Sequence, residues 1–313
     1  MTTYAHNFMI VFMIINSVII CLCILLSVAF YTLLERKILG LLQLRKGPNK
    51  VSFWGIVQPL SDALKLLIKE GIIPYKANKL LYISVPFCGL ILSLLMWLLM
   101  PSANMIKSVM HGILLFLCLS SLNVFITLLS GWSSNSKYAF LGALRAAAQS
   151  ISYEISMVLI LLVPVMSLMT LSWYQALLEP FPNLLIYMMI FFMWFSTSLA
   201  ETNRAPFDFA EGESELVSGF NIEYGGGLFV LLFLSEYSNI LLLSLMSAVW
   251  FLMFLSSNFL MIFMSLIVAI IFLVVRGVYP RHRYDLLMML CWKSFLPVAI
   301  THLMGLLGLI SVL

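Results

Sequence analysis

The feature that most limits the fold is a series of apolar runs, each close to the ~20 residues a helix needs to cross a bilayer's hydrocarbon core. Eight spans are expected, near residues 8–33, 80–100, 109–130, 147–170, 183–200, 226–253, 257–275 and 286–312. Only 10% of the 313 residues are charged, against ~25% in a soluble domain, so the chain cannot clothe a water-facing surface. The runs lack the alternation of barrel strands, and lone strands would leave backbone groups unsatisfied in lipid. The reading is an all-α polytopic membrane protein, a single membrane domain over residues 1–313 with no repeat at a fixed period.

The charges sort by side. Loops one, three, five and seven carry fifteen of the seventeen cations, whereas the even loops carry Lys107 alone and Lys293 sits early in the last span. Positively charged loops face the cytoplasm or its topological equivalent, the mitochondrial matrix, which puts both termini on the opposite side. No basic residue precedes the first apolar run, so neither a signal-peptide n-region nor an Arg-rich transit segment is expected. The five cysteines all fall in apolar stretches without metal spacing and read as buried small hydrophobes.

The first basic loop holds "GIVQPLSDALKLLIKEG" (55–71), in which Ile56, Leu60, Leu64, Leu67 and Ile68 recur at helical spacing opposite Gln58, Asp62, Lys65 and Lys69. Too short to span, it reads as a helix in the membrane interface, or as one that covers other helices. Upstream, Glu35 stands next to Arg36, which could hold the carboxylate ionised; a plain interfacial anchor is the competing reading. Loop three leads into the fourth span, where Arg145, Gln149 and Ser152 share a helix face. Glu154 and Glu236 lie within spans, where a carboxylate costs roughly 2.5–3.5 kcal/mol and usually faces a partner or a wet cavity. Arg276 opens loop seven, and either sets topology or binds a polar headgroup or a carboxylate.

Loop five, "ETNRAPFDFAEGESELVSGFNIEY" (201–224), gathers six of the thirteen carboxylates around one cation, Arg204. Desolvation and mutual repulsion make such groups hard to ionise together, which suits them to exchanging protons. A solvated acidic loop explains the charge but not the carboxylates inside neighbouring spans. The stretch lacks the D-x-D-x-D-G pattern of a calcium loop.

The segments "ERKILGLLQLRKGPN", "QPLSDALKLLIKE", "GWSSNSKYAFLGALRAAAQSISYE", "AETNRAPFDFAEGESELVSGFNIEY" and "YPRHRYDLLM" resemble, in order and over nearly the whole chain, the subunit 1 family of mitochondrial NADH–ubiquinone oxidoreductase, respiratory complex I. The twenty methionines fit an animal mitochondrial gene. The resemblance implies an eight-helix subunit of the mitochondrial inner membrane, set where the membrane arm meets the matrix arm. It implies partners in both arms, ubiquinone as substrate, no cofactor on this chain, and FMN and iron–sulfur clusters in partner subunits. It implies no nucleic-acid partner. By position, the resemblance carries a proton relay onto Glu35, Asp62, Glu154, Glu201, Glu211, Glu213 and Glu236. It carries the quinone path onto Arg36, Phe233 and Arg276.

Two stretches depart from the family pattern: the basic "GIIPYKANK" after Glu70, and the run Gly225–Gly227, which favours a bend at the start of the sixth span. A stand-alone proton-coupled transporter is the alternative. It would also need Glu236, but would be expected to show inverted repeats, which the chain lacks. A structural membrane scaffold comes third, and the carboxylates inside the spans are its main difficulty.

Overall fold

The computed structural model describes residues 2–101, 109–209 and 219–312, and among these every regular element is helical. The helices are α1 (Thr2–Leu42), α2 (Gln58–Ile68), α3 (Lys79–Trp97), α4 (Gly112–Ser133), α5 (Lys137–Leu168), α6 (Trp173–Leu178), α7 (Asn183–Ile186) and α8 (Met188–Glu201). Then follow α9 (Gly226–Ser247), α10 (Asn258–Val278), α11 (Tyr284–Leu290) and α12 (Leu296–Val312). Turns of π-helix extend α9 over Ala248–Leu252 and join α11 to α12 over Cys291–Phe295.

Seven of these helical segments are long and apolar enough to cross a membrane. The expected span at 183–200 differs: it breaks at Tyr187 into α7 and the fourteen-residue α8. At 1.5 Å per residue α8 is ~21 Å long, short of a ~30 Å hydrocarbon core. Asn183 explains how the break is tolerated. Fully buried, it accepts from Ser167 Oγ (2.9 Å) and donates to the Trp250 carbonyl (2.8 Å), so it pairs a backbone group within the π-turn. Two further boundaries differ from expectation. α1 runs on to Leu42, so Glu35, Arg36 and Lys37 are helical, and α5 begins at Lys137, ten residues early.

Helix α9 is the hub, packed against α1, α2, α3 and α10, while α5 packs against α4, α8 and α12. Small residues let them approach. A Cβ on Gly89 of α3 would lie 3.2 Å from Ile126 of α4, and one on Gly142 would lie 2.9 Å from the backbone of Gly219. The serines of α9 that sit in this packing, Ser235, Ser238, Ser244 and Ser247, each donate to the carbonyl three residues back. Each hydroxyl proton is thereby satisfied within the helix. Outward, Leu22, Leu26, Ile91, Phe125, Ile262 and Leu266 are exposed, as a lipid-facing surface requires. On α2 the leucines Leu60, Leu64 and Leu67 face out, whereas Asp62 turns towards α1.

Of the Gly225–Gly227 run, only Gly226 is demanded by its backbone. Its φ is +59°, and a Cβ there would lie 3.1 Å from the Lys69 carbonyl oxygen. The backbone after α2 thus lies directly against the first residue of α9.

Candidate functional site

Glu35 occupies the inner face of α1, 4% exposed. Its carboxylate accepts from Arg204 Nη1 at 3.5 Å, from Arg276 Nη1 and from the Tyr237 hydroxyl. Four separate chain segments thus meet at one carboxylate: α1, the turn after α8, α9 and the last turn of α10. The Arg204 guanidinium also lies 4.2 Å from the centre of the Tyr237 ring, a cation–π contact. Phe233, one turn back on α9, packs its ring 4.4 Å from that of Tyr237, and Tyr31 meets Tyr237 edge-on at 6.0 Å. Among the described residues, two guanidiniums thus share one carboxylate, within an otherwise aromatic and aliphatic wall that includes Ile240 and Phe272.

The expectation that Arg36 partners Glu35 is corrected. Consecutive helical residues do not face each other, so Arg36 points out, 54% exposed, and binds Asp62 at 2.5 Å. Gln58 donates to the other oxygen of Asp62 at 2.9 Å. This exposed pair ties α2 to α1.

A second constellation lies across the same wall. Glu201, at the end of α8, and Glu236 of α9 line one cavity with Asn123, Thr127, Asn203 and Asn239. Glu201 Oε2, Asn203 Oδ1 and Asn239 Oδ1 are buried there without hydrogen-bond partners. Polar atoms in that condition, gathered on one cavity, are the surroundings that bind ordered water. Glu154 is half-buried on α5, near enough for its charge to act on Glu201.

The two constellations are joined by residue pairs. Glu201 and Arg204 lie three apart on one turn, and Glu236 and Tyr237 are consecutive on α9. In each pair the carboxylate lines the cavity and its neighbour joins the Glu35 cluster. Glu211 and Glu213, which the resemblance also carries into the relay, lie outside the described residues. Tyr237, Tyr31 and Asn239 were not singled out from the sequence, although Tyr237 adjoins Glu236 in an apolar span and could have been flagged on that ground. Arg204 had a signal as the lone cation of the acidic stretch.

Fold and sites together define a polytopic helical membrane protein that holds Glu35, Arg204 and Arg276 in one interior cluster and Glu201 and Glu236 on an adjoining polar cavity. A family model described as NADH dehydrogenase matches residues 15–307. "NADH-ubiquinone oxidoreductase chain 1" of Aedes aegypti is 47% identical over 298 residues, covering 94% of this chain and 95% of that one. The proteins of the same name from Locusta migratoria and Salmo salar are each 48% identical, over 95% and 92% of this chain and 95% and 91% of theirs. The chain belongs to this family, the chain 1 subunits of NADH–ubiquinone oxidoreductase.

Proposed function

We propose that this subunit walls the ubiquinone access path of the enzyme and begins the carboxylate relay from quinone reduction to proton translocation. The supporting observation is the shared wall, in which Arg204 and Tyr237 belong to the Glu35 cluster while Glu201 and Glu236 line the adjacent polar cavity. Reduction of ubiquinone to ubiquinol takes two electrons and two protons. The electrons arrive from an iron–sulfur cluster in a matrix-arm partner, fed by FMN further up that arm, and this chain supplies no redox centre. Its contribution is positioning and electrostatics. Arg204 and Arg276 donate towards a quinone oxygen as negative charge builds on it, Arg36 guards the path near the surface, and Phe233 offers a ring face to the headgroup.

A carboxylate whose cationic partners are drawn to the substrate loses what holds it ionised. Glu35 is therefore the carboxylate through which the turning of Arg204 and Arg276 to quinone reaches the relay. The same movement of Arg204 shifts the turn that carries Glu201, and through it the charge facing Glu154 and Glu236. Asp62 extends this series at the end of the first span, and the resemblance adds Glu211 and Glu213 to it. In this arrangement the odd-numbered loops face the matrix and both termini the intermembrane side of the mitochondrial inner membrane. The other membrane-arm subunits and the matrix-arm quinone module are the partners.

Extraction in mild detergent tests the assignment. The native chain should co-migrate with a rotenone-sensitive NADH–quinone reductase; recovery as a free monomer or small homo-oligomer would contradict it.

A further inference from the structure

Gln149 is completely buried in the middle of α5, and neither the Glu35 cluster nor the polar cavity accounts for it. Its Nε2 donates to two carbonyls at once, Ala200 O and Phe207 O, both at 2.9 Å. These carbonyls bracket the turn that carries Arg204. Within that turn the backbone doubles back: Arg204 N donates to Leu199 O at 3.2 Å, Phe207 N to Arg204 O at 2.8 Å, and Asn203 holds a left-handed φ of +48°. Asparagine is one of the few side chains that takes this conformation readily, which suits it to the reversal.

The amide orientation is fixed by its partners, since the reverse would set Oε1 against two carbonyl oxygens. In the orientation adopted, Oε1 itself has no hydrogen-bond partner. A leucine would fill the same space without the orphaned Oε1, but it would take this donor away from the Ala200 and Phe207 carbonyls, and removing one partner of a buried hydrogen bond is the costly case. Among the described residues, the side chain's hydrogen bonds go to the two ends of the turn.

We infer that Gln149 is a positioning residue: it staples Ala200 to Phe207 and so sets Arg204 against Glu35 and Tyr237. This deepens, and rests on, the reading of the Glu35 cluster as the polar end of a quinone path. Substitution at Gln149 should act on quinone binding through Arg204, although Gln149 itself is remote from the substrate.

The test uses the assembled enzyme carrying Q149L, Q149N or Q149E, with R276A in parallel. Steady-state kinetics with a short-chain ubiquinone are normalised to NADH–ferricyanide activity, which counts assembled enzyme. Q149L and Q149N should raise the quinone KM about fivefold, the scale of one lost hydrogen bond. The KM of Q149E should fall back towards wild type as pH is lowered, because only the protonated acid can donate to a carbonyl. A lower yield of enzyme with unchanged KM in Q149L and Q149N would make the residue merely structural and overturn the inference. If Q149L does not assemble, Q149N and the pH profile of Q149E decide, since each keeps a polar side chain. R276A separates the two levels. If it raises KM while the Gln149 variants do not, the inference alone fails. If neither moves KM, the quinone-path reading fails with it.

Discussion

Arg204 and Glu35 stand 169 positions apart in the chain and 3.5 Å apart in the fold, both largely withdrawn from solvent. Arg276 completes the pairing from a third segment. Because the attraction is shared, each group depends on the other two, and removing the shared carboxylate leaves two guanidiniums facing each other.

Glu35→Gln should therefore act on stability and activity together. Breaking a buried pair by removing one partner costs roughly 3–5 kcal/mol, reduced here because Arg276 is one-third exposed. A lower thermal midpoint of the assembled enzyme, with quinone reductase turnover reduced at least tenfold per ferricyanide-active enzyme, is the expected pattern. Wild-type values for both would remove Glu35 from the mechanism.

Arg276→Ala should weaken quinone binding more than it slows turnover. The guanidinium is accessible from the pocket yet tied to Glu35, and one charge-assisted hydrogen bond contributes about 1.5–3 kcal/mol. The quinone KM, measured against chain length of the quinone, checks this. An unchanged KM would exclude contact between Arg276 and the headgroup.

Glu236→Gln keeps shape and hydrogen-bonding atoms in the polar cavity but removes a proton site. Proton uptake per electron in reconstituted vesicles should fall along with quinone turnover, while NADH oxidation by artificial acceptors stays within about twofold, since that reaction takes place in the partner arm. Full pumping in an assembled variant would separate Glu236 from the relay.

Gly226→Ala should destabilise the junction of the first loop and α9 by about 1–2 kcal/mol, because the backbone is left-handed and the new Cβ would press on Lys69 O. Gly225→Ala and Gly227→Ala meet open space and should lie within about 1 kcal/mol of wild type. Thermal denaturation of the purified assembly distinguishes the three. Equal effects would mean that the left-handed geometry at Gly226 is not what the run of glycines serves.

How much of this was legible follows the range of the interactions. Helix type and most of the spans came from length and hydropathy, which are local properties. The break at Tyr187 escaped because Asn183 is repaid by Trp250, 67 positions later. The carboxylates of interest were visible because charge in an apolar span is costly on its own account. Their partners were not: Arg36 was the near neighbour of Glu35 in the chain, but helical geometry turned it to Asp62, and the partners of Glu35 come from the turn after α8, from α9 and from the last turn of α10. Gln149 was visible as a polar residue on a helix face, yet its task depends on two carbonyls more than fifty residues away.

The central claim is that the Glu35 cluster is the polar end of a quinone path. Photolabelling of the intact enzyme with an azido-ubiquinone, followed by peptide mapping, tests it most directly. Label that is displaced by excess ubiquinone and falls on the Phe233–Tyr237 segment of α9 or the Arg276 end of α10 is the predicted result. Displaceable label that maps wholly to other subunits, or on this chain only to the exposed outer faces of its helices, would contradict the account.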